Sequence, residues 1–405
     1  MRINKYLKEK GIKRAFQVLW QYKVQTFLDK MMYYFTKKKA LQDKIIIESH
    51  NDFDCNGGAF YDYLIKNGYN SKYKIVWLLK NKKPKTKLPP NVECVQLFKP
   101  SFRRAYHVCT AKFFTFDCNV IKKIRKDQIF VYCSHGAGGL KNVKSKVPIP
   151  DNINYILIQS PQYAPIQTKQ WGLNVEDKRF VYIGYPSFDI LHSGDKSELS
   201  KITEKKYNKI ILWMPTFRKG VGFNRNDSTK EQPLGIPLFN NLTEYMQINE
   251  FLKENDSLLI IKVHPMQDLN GLKINDMTNI KVLTGNRVKE LNINNYRLMN
   301  CSDALISDYS GAAYEYLQTN KPLAYVLDDM KEYKLGFVVD NIHDLLAGYE
   351  IYNLNEFKDF IIDIVNNKDI YKEKREKIRK YVYNFTDNKN CERLAQLLGL
   401  TKEKN

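Results

Sequence analysis

The chain has 405 residues, and 65 lysines and arginines against 44 acids leave a formal net charge of +21; this excludes a single small domain and points to a phosphate-bearing partner: nucleic acid, an anionic membrane or a phosphorylated substrate. Seven cysteines with no CxxC pair argue against a disulfide framework and a structural zinc, and fit a reducing compartment. No apolar run reaches the roughly eighteen residues of a transmembrane helix, and the N-terminus lacks the apolar core and small-residue cleavage site of a secretory leader.

Residues 1–43 are basic and rich in aromatics: Lys5, Lys8, Lys10, Lys13 and Arg14, then Phe16, Trp20, Phe27 and Phe35, then Lys37, Lys38 and Lys39. Apolar residues at 16, 19, 20, 27, 28, 31, 32 and 35 have helical spacing with one wide apolar face. Basic residues opposite Trp and Phe suit an anionic bilayer surface; the alternative is a helix packed on the protein body with a solvated basic face.

From Lys44 onward strands and helices alternate. Ile45, Ile46 and Ile47 read as a buried strand, followed by a helix opened by Asn56, Gly57 and Gly58. Apolar runs at 74–79, 92–97, 112–117, 129–133, 155–159 and 179–183 repeat the theme. A polar, charged stretch at 195–208 reads as a linker. A second series follows, with strands at 209–214, 258–263, 280–283, 304–306 and 323–327, a polar loop at 218–235, a charged helical region at 355–385 and a last amphipathic helix at 391–400. Strands separated by helical connections predict parallel sheets with ligands at the carboxyl ends of the strands. The fold class expected is α/β, two Rossmann-like domains facing a cleft in the GT-B arrangement. The expected organisation is 1–43 membrane-surface helices, 44–195 acceptor domain, 196–208 linker, 209–385 donor domain and 386–405 a helix crossing back.

Four strand ends carry chemistry. After the strand at 129–133 comes SHGAGGLK, in which His135 can take a proton, Gly136 allows close approach of a ligand and Lys141 supplies charge. After 209–214, Thr216 offers a hydroxyl and Arg218 a planar fork to phosphate. Pro265 ends the next strand at His264, exposing its imidazole at a carboxyl edge. Finally, SDALISDYSGAAYEYLQTNKPLAYVLDDM (302–330) reads as strand, polar turn, helix and strand. Ser310 with the Gly311 and Ala312 amides can bind phosphate, Asp308 can orient a neighbour, and Glu315 lies in the following helix. Taken singly, each has a plainer reading: a structural His, an exposed Arg in a turn, or a capped βαβ unit.

In this order and spacing, HGAGGLK, MPTFR, KVHP and SDYSGAAYEYLQTNKPLAYVLDDMKEY resemble the CDP-glycerol:poly(glycerophosphate) glycerophosphotransferase family, the teichoic acid primases and polymerases with related capsule enzymes. IIIESHND, GGAFYDYL and GYPSFD resemble further family segments, and the likeness spans roughly residues 44–385. It implies His135 as base, His264 and Arg218 at the donor pyrophosphate, and the turn of Asp308, Tyr309, Ser310 and Gly311 with Glu315 as part of the donor site. Departures are Ala137 for a Thr, Lys141 one residue late, Gly311 for a second Ser, Glu315 where Asp is common, and Ser187 for an Arg. The implied reaction is transfer of glycerol phosphate from CDP-glycerol to a hydroxyl of a prenyl-diphosphate-linked acceptor, with release of CMP, at the cytoplasmic face of the membrane. CDP-ribitol or a nucleotide sugar is the alternative donor. A nucleic-acid-binding protein is the remote alternative, for which no motif is present. No cofactor is firmly implied and no metal-binding cluster is evident; a divalent cation such as Mg would find ligands in Asp328 and Asp329.

Overall fold

The computed structural model describes residues 12–402 apart from 82, 83, 85, 135, 137, 143–148 and 221–224, with the side chains of 12–18 and 225 also set aside. Strand β1 (Gln42–Glu48) starts the first sheet because Ile45, Ile46 and Ile47 are all fully buried, each contributing about 1.5–3 kcal/mol of apolar burial. It is followed by helix α2 (Cys55–Lys66), whose N-cap Asp54 accepts from the Cys55 N–H. Strands β2 (Lys74–Leu79), β3 (Val92–Gln96), β4 (Ala111–Phe116), β5 (Ile129–Tyr132), β6 (Tyr155–Leu157) and β7 (Phe180–Val181) complete a parallel sheet of order β3-β2-β1-β4-β5-β6-β7. Helices α3 (Phe102–Thr110), α4 (Ala164–Trp171) and α5 (Phe188–Leu191) belong to this half.

The second sheet contains β8 (Lys209–Trp213), β11 (Ser257–Lys262), β12 (Ile280–Leu283), β13 (Ala304–Ser307), β14 (Leu323–Val326) and β15 (Tyr349–Ile351), again all parallel, in the order β12-β11-β8-β13-β14-β15. A short antiparallel ribbon, β9 (Lys219–Gly220) with β10 (Arg225–Asn226), lies within the region read as a polar loop. The order of each sheet reverses once, between β1 and β4 and between β8 and β13, and such switch points are where parallel sheets open a crevice at their carboxyl edge. The two-domain α/β architecture expected from the sequence is therefore the one observed.

The connections hold more structure than their polarity suggests. A 3₁₀ turn at Ser197–Lys201 buries Glu198, which accepts from the Asn294 N–H at 2.6 Å. The charged region after β15 is two helices, α10 (Leu354–Val365) and α11 (Lys372–Val382), separated where Asn367 takes a left-handed φ of 54°. Helix α12 (Asn390–Leu397) packs on α2 and α5 of the first half, and Asp189 accepts from the Asn390 and Cys391 N–H groups at 2.9 Å each. One apolar cluster runs through both halves, with Phe188 and Tyr383 rings 5.3 Å apart.

Helix α1 (Ile12–Thr36) packs against α3 in an unexpected orientation. Gln25, Asp29 and Thr36, one helical stripe, face the body, where Gln25 Oε1 accepts from the Ser101 N–H and Asp29 meets Arg104. Trp20, Lys23, Phe27, Lys30 and Tyr34, the opposite stripe at spacings of three and four, are exposed. Lysines and aromatics thus share the outer face, instead of lying on opposite faces. Among the described residues no helix is long and apolar enough to cross a membrane.

Candidate active site

At the switch point of the second sheet, the loops after β8 and β13 are tied by carboxylate hydrogen bonds. Asp308 accepts from the Thr216 N–H at 2.8 Å and the Thr216 hydroxyl at 2.6 Å. Arg218, only 3% exposed, donates from Nη1 to Asp308 Oδ2 and the Thr216 carbonyl, both at 2.9 Å, and from Nε and Nη2 to Asp329 at 2.5 and 2.9 Å. Burial opposes its charge, but Asp308 and Asp329 outweigh that and raise the guanidinium pKa. Four of the five N–H donors an arginine carries are committed. This corrects the reading of Arg218 as a planar fork to phosphate, and equally the plainer reading of an exposed Arg in a turn: it is a buried clamp that fixes Thr216 and Asp308. Asp329 is held by the same clamp and by the Tyr309 hydroxyl at 3.1 Å, while Asp328 accepts from Lys230 and the Leu238 N–H. The two acids face different partners and do not form a cation site, and no group of three His, Cys, Asp or Glu among the described residues could hold a metal ion.

Helix α9 (Gly311–Tyr316) begins at this turn because Ser310 caps it, its Oγ accepting from the Ala312 N–H at 3.3 Å. The cap engages the hydroxyl read as a phosphate ligand. The glycine-rich loop of the first half lies directly on this turn: a Cβ at Gly139 would stand 2.7 Å from the Gly311 nitrogen, so only glycine fits. The loop is held there by Tyr163, which donates to the Gly138 carbonyl at 3.2 Å, by Gln170, which donates to the Gly139 carbonyl at 2.7 Å, and by the Val338 N–H on the Leu140 carbonyl at 2.9 Å. Lys141 Nζ then reaches Thr216 Oγ1 at 3.3 Å. Lys141, Thr216, Asp308, Ser310 and Gly311, from two halves of the chain, are thus brought together.

His135 lies outside the described residues. Its neighbours are constrained: Ser134 has a φ of 61°, a left-handed strain costing about 1–3 kcal/mol for a non-glycine, and its carbonyl accepts from Asn56 Nδ2 at 2.9 Å. Gly136, at φ 80°, has Glu315 Oε1 3.5 Å from where a Cβ would stand. Glu315 is 8% exposed and accepts from the Tyr296 hydroxyl at 2.8 Å. As a carboxylate it offers phosphate no hydrogen-bond donor, which argues against the phosphate-binding role expected of it; it faces the loop at Gly136 instead.

His264 lies against Phe217, ring centroids 4.8 Å apart and tilted by 48°, and its Nδ1 accepts from the Met266 N–H at 3.0 Å. That bond assigns the neutral ring's proton to Nε2, which can donate to an anionic oxygen. Two residues before it, Lys262 is 5% exposed. Burial lowers its pKa to about 8, against the opposing pull of Asp54, Cys55 and Glu315. The sequence signals only KVHP; it does not show that its lysine lies near Asp54 and Cys55 of the first half, where the Asp54 carboxylate accepts from Asn294 Nδ2 of the second half at 2.8 Å.

The switch point of the first sheet holds a second cluster that sequence reasoning missed. Glu48, after three isoleucines, is fully buried, pairs with Lys80 at 2.7 Å and accepts from Asn119 Nδ2 at 2.8 Å. Asp117, at the end of β4, accepts from the Gly57 N–H at 3.3 Å, and burial followed by the Glu48 charge raises its carboxyl pKa well above the ordinary value. The available signal was an acid directly after an apolar run in both strands flanking the reversal.

The sequence matches the family model described as CDP-Glycerol:Poly(glycerophosphate) glycerophosphotransferase over residues 31–399. The chain belongs to this family. It is 29% identical over 217 residues to the teichoic acid glycerol-phosphate primase of Bacillus subtilis (strain 168), covering 52% of this chain and 50% of that protein. It is 25% identical over 298 residues to the teichoic acid ribitol-phosphate polymerase TarL of Staphylococcus aureus (strain NCTC 8325 / PS 47), covering 68% of this chain and 48% of that one. The chain thus spans about half the length of these curated relatives. The fold of this glycerophosphotransferase family member is similar to that of the wall teichoic acid polymerase TagF, with a TM-score of 0.72, 18% identity and 98% of each chain covered.

Proposed function

We propose that this chain transfers glycerol phosphate from CDP-glycerol to a hydroxyl of a prenyl-diphosphate-linked acceptor, releasing CMP, in the synthesis of teichoic acid or a related capsule polymer. Residues 44–195 take the acceptor, 209–385 the donor, and residues 386–405 return to the first half. The observation that carries this reading is the junction of the two halves, where Gly139 meets the Gly311 amide and Lys141 meets Thr216, in a family whose description names this donor. Lys141, Thr216 and the Ser310–Gly311 turn receive the pyrophosphate, while Arg218 and Asp308 hold that turn in place.

The acceptor oxygen attacks the glycerol-bearing phosphorus and a new P–O bond forms. The bond from that phosphorus to the bridging oxygen breaks, CMP leaves with the electron pair, and His135 takes the hydroxyl proton. His264 Nε2–H donates to the leaving phosphate. The outer stripe of α1, with aromatics for the bilayer interface and lysines for lipid phosphates, supports attachment to the cytoplasmic face of the membrane.

A second donor has specific support: relatives of this chain are named for ribitol phosphate as well as glycerol phosphate. Incubating the purified chain with CDP-glycerol and with CDP-ribitol in parallel, and quantifying CMP, tests both. Acceptor-dependent CMP release from CDP-glycerol is expected; release from CDP-ribitol alone would transfer the assignment to ribitol phosphate, and release from neither would remove the function.

A further inference from the structure

A cavity of about 860 Å³ lies between α1 and the loops that follow β3 and β4, within the range of about 300–1,000 Å³ that suits a small-molecule ligand. Leu97, Phe98, Val120, Ile121 and Ile124 give it carbon walls. The acid in its wall, Asp29, is already engaged by Gln25 Nε2 at 2.6 Å and Arg104 at 3.4 Å. Lys30, Lys122 and Lys123 also line it, so an apolar slot is bordered by cations.

We infer that this cavity receives the polyprenyl chain of the acceptor lipid, with the basic side chains meeting its phosphates. The inference rests on the lipid-linked acceptor proposed above and names where that lipid's hydrocarbon is held. Lys30, in the cavity wall, belongs to the outer stripe of α1, where Trp20, Phe27 and Tyr34 are each more than 60% exposed, so a lipid chain can enter from a bilayer surface. One observation favours the acceptor's own chain over a bulk phospholipid: the cavity wall continues toward the cleft. Asn119 in that wall bonds Glu48, Asp117 beside it accepts from the Gly57 N–H, and Asn56, the preceding residue, bonds the Ser134 carbonyl next to the base loop. A lipid seated here has its headgroup directed at the site of transfer, a placement that bulk phospholipid has no use for.

Photo-crosslinking of the full chain with a diazirine-bearing polyprenyl phosphate tests this without requiring turnover. Label is expected on peptides carrying 97–100 and 118–124, displaced by unlabelled polyprenyl phosphate and not by the same concentration of phosphatidylglycerol. Label confined to the exposed face of α1, or equal displacement by phosphatidylglycerol, would overturn it. In kinetics, Val120→Trp fills the slot and should raise KM for a polyprenyl-linked acceptor by roughly tenfold, with KM unchanged for the same headgroup on a short alkyl chain. A KM that rises equally for both would contradict the cavity's role. If the wild-type chain used neither acceptor, the transfer reaction would fall, while the crosslink would still decide what the cavity holds.

Discussion

Arg218 shows what a residue's neighbours decide. Its partners lie 90 and 111 positions along the chain, so a strand-end Arg beside Thr216 reads from sequence as a phosphate ligand and becomes a clamp only once Asp308 and Asp329 fold around it. Removing one partner of a buried ionic group strands the others, at a cost of about 3–5 kcal/mol. Arg218→Ala is therefore expected to lower the unfolding free energy by that amount, read as a fall in the urea midpoint at unchanged slope. An unchanged midpoint with a raised donor KM would restore the direct contact. Lys262 gives a pH-dependent prediction. Its folded pKa of about 8 lies below the ordinary 10.5, so the unfolded chain holds the proton more tightly and the burial penalty operates fully below about pH 8. It is relieved as pH rises toward 10.5. Wild type should gain stability relative to Lys262→Met between about pH 7 and about pH 9. Parallel unfolding curves at both pH values would show that Lys262 carries no such penalty.

Among the elements, α1 was legible as a helix from the spacing of its apolar residues. Which face turns inward was not, because Gln25 and Asp29 find Ser101 and Arg104 about 75 residues later, and those contacts draw the polar stripe against the body. The aromatic–lysine stripe left outside should bind anionic vesicles. Replacing Trp20, Phe27 and Tyr34 together by Ser is expected to abolish cosedimentation with such vesicles while leaving thermal unfolding unchanged; full cosedimentation would place the membrane contact elsewhere. The glycine-rich loop was legible as a site of close approach, but its target was not. Gly139 packs on the turn at Gly311, so Gly139→Ala must push the two apart, and a displacement near 1 Å lowers catalysis roughly a hundredfold. Retained kcat in Gly139→Ala would mean that the junction does not position the reacting groups.

At the scale of the whole molecule, the two-sheet architecture was readable because buried parallel strands are continuous apolar runs and the connections between them are helical. The reversals in strand order were not readable, since neighbouring strands in a sheet need not be neighbours in sequence. Those reversals bring Thr216 to Asp308 in one half and Glu48 to Asp117 in the other. They explain why the Glu48 and Asp117 cluster escaped notice while the strand-end motifs did not. We propose that the junction of these halves moves glycerol phosphate from a nucleotide to a lipid-linked hydroxyl. Mass spectrometry of the products formed from CDP-glycerol and a synthetic lipid-linked acceptor tests it most directly. Acceptor extended by one or more glycerol phosphate units, with one CMP per unit, is expected; an acceptor of unchanged mass under conditions where the folded chain binds CDP-glycerol would contradict the transfer.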